Sequence, residues 1–170
     1  GRLSPMNLFE LLRQSHAVQR RLCSRLMSAR SSPRQRTAAF LQLKVELQAH
    51  AAAEERHLYV PLLMNDAGLK SPRHALAEHH EVEELCETLS VPDKGGSEWL
   101  QTVAELCERV RHHLKEEESK FFKVAGRELS DRQKATLARR YQADLLKMRR
   151  KYAAEFQSVV QRADGELAAA

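Results

Sequence analysis

The sequence is short of the residues that turn a chain. Six glycines and five prolines in 170 residues leave few places to reverse direction. Valine and threonine are sparse beside alanine, leucine, glutamate, arginine and glutamine, which favours helix over strand. Long apolar runs are also missing. No stretch approaches the roughly 18 unbroken apolar residues of a membrane span, so no membrane partner is expected. Nothing at the N-terminus resembles a signal peptide. The three cysteines, Cys23, Cys86 and Cys107, are an odd number without close metal-type spacing. That excludes a disulfide framework and points to a reduced, cytoplasmic compartment.

What is present has the length of one domain with one sizeable core and a formal charge of +5. Helix starts recur. Ser4-Pro5, Ser32-Pro33 and Ser71-Pro72 each place a capping serine before a proline whose missing N–H costs nothing at a first helical position. Ser97 precedes Glu98, and Ser130 precedes Gln133 at capping-box spacing. With leucine, valine, alanine and phenylalanine at helical period between them, the chain predicts helices over 5–29, 33–64, 72–89, 98–126 and 131–163. The segments Asn65–Ser71 and Ser90–Ser97 read as loops. Short loops make antiparallel neighbours, so the expected class is all-α. Residues 5–126 form an up-down-up-down four-helix bundle, and residues 127–163 form an additional C-terminal helix packed on it.

The histidines reveal a repeat. His16 and His50 are 34 residues apart, as are His79 and His113. A shift of 63 residues carries His16 onto His79, His50 onto His113 and Glu54 onto Glu117. It also carries Glu55 onto Glu118, Leu58 onto Phe121, Tyr59 onto Phe122, Leu22 onto Leu85 and Cys23 onto Cys86. A helical hairpin is used twice. Residues four apart share a helix face, about 6 Å apart along the axis, so each His–Glu pair points one way. Four such helices present four imidazoles and two carboxylates to one small volume. Burying two carboxylates is costly unless cations compensate them, and the flanking core positions are apolar. Two metal ions held by His16, His50, Glu54, His79, His113 and Glu117 answer that cost. Mixed imidazole and carboxylate donors suit iron, with manganese and zinc as alternatives.

The other histidines read differently. Glu54-x-x-His57 has the spacing of ferritin-like di-iron bundles, but those need it twice and position 120 is lysine. His57 therefore reads as lining the site. His80 and His112 lie about 100° off the face of a ligand neighbour, and His74 reads as solvated.

The motifs "SHAVQRRL", "HAAAEERHLYVP", "AEHHEVEEL" and "HHLKEEESKFF", in that order, resemble the hemerythrin-like, HHE cation-binding family over residues 5–126. The resemblance implies a four-helix bundle around two non-haem iron ions bridged by carboxylates, with a place for O₂ or another small ligand. Carried over, the ligands are His16, His50, Glu54, His79, His113 and Glu117. Oxygen-carrying members have a fifth histidine one turn after the third-helix histidine, where this chain has Glu83. The set is more similar to four-histidine bacterial members such as the iron-centre repair proteins. Glu83 joins the expected ligands on that ground.

Around the site, Cys23 and Cys86 each follow a ligand histidine by seven residues, about 10 Å along the same face, and read as small buried hydrophobes or a metal-proximal thiol pair. Phe40, Tyr59, Phe121 and Phe122 read as core that keeps water from the metals. From Arg132 to Lys151 the last helix carries eight basic residues against Asp144 alone. Such a run reads as a solvated face. No nucleic-acid module accompanies it, so nucleic acid is not an expected partner and any protein partner is unknown. Leu137, Tyr141, Leu145, Met148 and Tyr152 form the apolar stripe that should dock this helix. The functional expectation is a cytoplasmic di-iron protein that binds or reacts with O₂ or NO in oxidative or nitrosative stress. The alternatives are iron storage, delivery or sensing without catalysis, or a metal-stapled bundle that binds a partner.

Overall fold

The computed structural model describes residues 6–28, 32–64, 70–91 and 95–169. Every regular element among them is helical, and these described residues form five helices. Helix α1 is Leu8–Leu26. Helix α2 runs Pro33–Glu54, passes through a π-helical turn at Glu55–Tyr59 and continues as Val60–Met64. Helix α3 is Lys70–Leu89. Helix α4 runs Ser97–Glu116, passes through a second π-helical turn at Glu117–Phe121 and ends as Phe122–Glu128. Helix α5 is Asp131–Ala169. The all-α bundle with an added C-terminal helix is thus as expected.

The local starts differ in detail. Ser4-Pro5 lies outside the described residues. The α1 cap is Asn7, whose side chain accepts from the Glu10 amide while Glu10 reaches back to the Asn7 amide. Ser32 caps α2 as expected and is joined by Gln35 in the same reciprocal arrangement. Helix α3 begins one residue before Ser71, and α4 is capped by Gly96, with Ser97 inside. Ser130 and Gln133 form the expected box at the start of α5. Most of the Asn65–Ser71 loop and part of the Ser90–Ser97 loop lie outside the described residues. The two π turns were not expected, because a π turn is built from ordinary helix-forming residues and carries no composition of its own.

Packing divides into two apolar clusters with a polar layer between them. One gathers Leu8, Leu12, Ala53, Tyr59, Leu62, Phe121 and Phe122 with the α5 residues Leu137, Tyr141, Leu145 and Met148. The other gathers Cys23, Phe40, Leu43, Cys86, Trp99, Val103 and Leu106. In α1, His16 stands between Leu12 of the first and Cys23 of the second; in α2, His50 stands between Ala53 and Leu47. Helix α5 lies along α2 and also touches α1, whereas α2 and α3 meet only lightly. Its predicted stripe is buried, with Tyr152 partly so.

The basic run of α5 is not uniformly solvated. Arg149 donates from Nε and Nη2 to the two oxygens of Glu46, at 2.9 and 2.7 Å, and Glu46 is buried on α2. Asp144 pairs with Arg56 and His57 of α2 at 3.1 and 3.0 Å. Both contacts tie α5 to α2 across the polar edge of its stripe. Removing Arg149 strands the Glu46 charge, so Arg149→Ala should destabilise by about 1–3 kcal/mol. Arg150→Ala, at an exposed neighbour, should stay within about 0.5 kcal/mol. Urea midpoints of the two variants check the difference, and equal midpoints would remove the Arg149 contact from the account.

Candidate metal centre

The six proposed ligands reach the layer between the two clusters from four helices. His16 comes from the middle of α1 and His79 from the middle of α3. His50 and Glu54 close the first stretch of α2, and His113 and Glu117 take the corresponding place in α4. His16, His50, Glu54, His113 and Glu117 are all buried, and the His79 side chain is 10% exposed. The side chains converge as two groups of donor atoms that share both carboxylates. One is His16, His50, Glu54 and Glu117; the other is Glu54, His79, His113 and Glu117.

The carboxylates divide their oxygens between the groups. Glu54 sets Oε2 3.2 Å from His50 Nε2 and Oε1 3.2 Å from His79 Nε2. Glu117 sets Oε1 3.3 Å from His16 Nε2 and Oε2 3.3 Å from His113 Nε2. Despite these approaches, His16 Nε2, His50 Nε2, His113 Nε2, Glu54 Oε2 and Glu117 Oε1 are buried without a hydrogen-bond partner. Buried polar atoms are rarely left so. Every one of these orphans is a donor atom of the six-residue set, and a cation between them supplies what they lack. The donor set fits a pair of metal ions.

The outward nitrogen of each imidazole is held. His16 Nδ1 meets Glu118 Oε1 at 3.0 Å, His79 Nδ1 meets Glu55 Oε1 at 3.0 Å, and His113 Nδ1 meets Glu78 Oε1 at 3.1 Å. His50 Nδ1 meets the Tyr141 hydroxyl of α5 at 2.9 Å. In a neutral ring an acceptor at Nδ1 takes the ring proton and turns the Nε2 lone pair toward the centre, the arrangement metal-bound histidines use. Glu55 and Glu118 were visible as partners in the repeat but not as holders of histidine. Glu78 and Tyr141 were missed. Repetition itself holds the clue, because the counterpart of Glu78 is Ser15, too short to reach His50.

Tyr59 enters the centre itself. Its hydroxyl donates to Glu54 Oε1 at 2.6 Å, lies in short contact with Glu117 Oε2 and is 3.3 Å from His79 Nε2. The π turn makes this reach. With one residue added, Tyr59, five on from Glu54, stands where the fourth residue would in a regular helix. In α4 the same device brings Phe122 to His16, their rings stacked at 5.7 Å.

Electrostatics follow from burial against these contacts. Burial pushes His16, His79 and His113 down, but the flanking glutamates outweigh it and raise all three, His79 to about 9 and His113 to about 10. Burial works to raise Glu54, yet the charge of His50 and the contacts to the histidines hold it well below the usual carboxylate range. Glu118, bonded to His16 and to Arg20, falls to about 2. Burial and the two neighbouring carboxylates push Tyr59 well up.

Other sequence candidates lie outside the two groups. Glu83 is exposed and lines a cavity of about 590 Å³ that reaches His50, His79 and His113 between α2, α3 and the distal part of α5. His57 turns to Asp144. His80 pairs with Glu84 and His112 with Glu116 at the surface. Exposed His74 approaches Glu78 and Glu116, forming a third, outlying group of donors. Cys23, Cys86 and Cys107 are free and buried in the second cluster, with Cys23 and Cys107 as the close pair.

The raised histidines have a consequence for metal-free protein. Their folded values exceed the unfolded one of about 6.5, so the ion pairs contribute stability fully below that pH. The contribution is lost as pH rises through about 9 for His79 and about 10 for His113. At neutral pH both rings carry a proton that a metal must displace. Metal uptake at pH 7 should release protons, and affinity should fall as pH is lowered. A pH-stat titration with ferrous iron checks this; uptake without proton release would contradict it.

The hemerythrin HHE cation binding domain pattern matches residues 7–125. A protein of Nostoc sp. (strain PCC 7120) named "DNA nickase" is 28% identical over 138 residues, which is 81% of this chain and 39% of that protein. The chain thus spans about two fifths of that relative's length. No solved structure matches the chain. None of the described helices is long and apolar enough to cross a membrane. With its donor groups between four helices and a domain match over most of its length, the chain belongs to the hemerythrin HHE cation-binding family.

Proposed function

We propose that the chain is a cytoplasmic, non-haem di-iron protein that binds or reacts with O₂ or NO under oxidative or nitrosative stress. The observation that carries the reading is the set of five orphaned, buried donor atoms, all belonging to the six candidate ligands. His16 and His50 would hold one metal, His79 and His113 the other, with Glu54 and Glu117 each offering one oxygen to each metal. Iron at such a site supplies electrons and an open coordination position for a diatomic ligand. The protein's own part is orientation and exclusion. Glu118, Glu55, Glu78 and Tyr141 fix the four rings, the two apolar clusters keep bulk water from the layer, and the cavity over His50 and His79 admits a small molecule.

Loading the metal-free protein with ferrous iron should bind close to two ions per chain and raise its melting temperature. Ligand held at 100 times its dissociation constant stabilises by about 2.7 kcal/mol. Glu54→Ala, which removes an oxygen from both groups, should reduce the bound iron and abolish most of the thermal shift. Reaction with diatomics is checked by NO and O₂ consumption of the ferrous protein. Substoichiometric iron with an unmoved melting temperature would defeat the reading.

A second reading, contact with DNA, is favoured by the relative's name and by Arg132, Arg139, Arg140, Lys147, Arg150 and Lys151, all exposed on α5. At a helical 100° per residue they fall on one side of α5. Phosphate binding through such a face should weaken steeply with salt. Duplex DNA titrations at two salt concentrations, with wild type and Arg139→Glu/Arg140→Glu/Lys147→Glu, test it. Equal, salt-insensitive binding would leave α5 a solely structural helix.

A further inference from the structure

Resting on the di-iron reading, we propose that Tyr59 is itself a ligand, giving the metal held by His79 and His113 a fifth protein donor. The Tyr59 oxygen meets three of that group's four donor atoms: Glu54 Oε1 at 2.6 Å, Glu117 Oε2 in short contact and His79 Nε2 at 3.3 Å. With bonds of about 2.0–2.2 Å to a metal, donors at right angles stand about 3 Å apart. The hydroxyl therefore occupies the spacing of a neighbouring ligand around one ion. An oxygen donor also suits ferric iron better than the apolar filling its ring would otherwise be. A bound cation inverts the preference of a buried acid for its neutral form, and the phenol proton leaves to solvent as the oxygen coordinates.

Comparison of the two halves supports a specific role. The repeat carries Tyr59 onto Phe122, and both follow a ligand glutamate through a π turn. The His16 and His50 group receives a phenylalanine ring stacked on His16, with no donor atom. The orphaned atoms divide in the same way. All four donors of the His16 group lack hydrogen-bond partners, whereas in the other group only His113 Nε2 does. Tyrosine thus supplies the donor on one side only. The two metals are unequal, and the exogenous ligand goes to the metal of His16 and His50, which has fewer protein donors.

Tyr141, the other tyrosine near a ligand, is the competing source of a phenol signal. It touches His50 through Nδ1, on the far side of the ring from the metal. The experiment loads the full chain with ferrous iron without oxygen, measures metal content, oxidises it in air and records visible absorption and resonance Raman spectra. A tyrosinate on ferric iron gives a broad visible charge-transfer band and enhanced phenol ring modes, which shift when tyrosine is ring-deuterated. Wild type and Tyr152→Phe, which changes a tyrosine packed on the apolar cluster, should show both. Tyr59→Phe, which adopts the residue found at position 122, should lose them while iron remains, or lose one of its two irons with them. If Tyr59→Phe does not fold, a Tyr141→Phe/Tyr152→Phe chain leaves Tyr59 as the sole tyrosine, and its deuterium-shifted modes decide. A band that survives in Tyr59→Phe, or di-iron wild type without phenol modes, overturns the assignment. Wild type that takes up no iron overturns the di-iron reading as well, and metal content measured first separates that case.

Discussion

Two carboxylates buried among four imidazoles are the constraint around which this molecule is built. Glu54 and Glu117 are removed from water, and an uncompensated charge there costs several kcal/mol even after relaxation. Metal-free protein meets that cost with raised histidines, so protons stand where cations would. The same need explains the outer ring of acceptors. A histidine free to rotate could not keep Nε2 on a shared carboxylate, and three glutamates and a tyrosine prevent that rotation. The apolar clusters on either side then keep the local dielectric low, which strengthens every one of these contacts.

Helix α5 belongs to this arrangement rather than standing apart from it. Ser15 cannot do for His50 what Glu78 does for His113, and Tyr141 fills the gap from outside the repeat. Beside it, Ser15 donates to Glu46 at 2.6 Å, and Glu46 is gripped by Arg149. Position, charge and apolar packing of α5 therefore act on one ligand, His50. The stripe of Leu137, Leu145 and Met148 supplies the burial that keeps Tyr141 in reach.

The convergence of these six residues was legible because duplication wrote it twice: two His-x-x-x-Glu pairs and two lone histidines at one spacing. Helical class and the docking stripe of α5 were legible through periodicity. Three features were not. A π turn adds a residue without changing composition, so α2 and α4 read as continuous and Tyr59 as ordinary core. Arg149 and Glu46 lie 103 residues apart, and nothing local distinguishes Arg149 from Arg150. Glu83 takes the place of a fifth histidine in sequence, yet it is exposed on α3 beside the cavity. A one-turn step fixes a helix face only approximately, and the Tyr59 hydroxyl of α2 is the further group that touches Glu54, Glu117 and His79.

Three departures from the repeat lie around the two donor groups. Tyr59 faces Phe122, Glu78 faces Ser15 and Glu83 faces Arg20 across the duplication. Arg20 clamps Glu118 through two hydrogen bonds of 2.9 and 2.8 Å, and Glu118 holds His16. A guanidinium behind that carboxylate draws its charge away from His16 and lowers the donor strength of the ring. On the other side, the Glu78 carboxylate stands behind His113 with no guanidinium on it, and Tyr59, coordinated as proposed, would add an oxygen donor to that group. A symmetric pair of sites would offer two equivalent places to a small ligand. On the proposed di-iron reading, these substitutions would make one group richer in donors and the other poorer, so a duplicated hairpin would present one preferred point of attack.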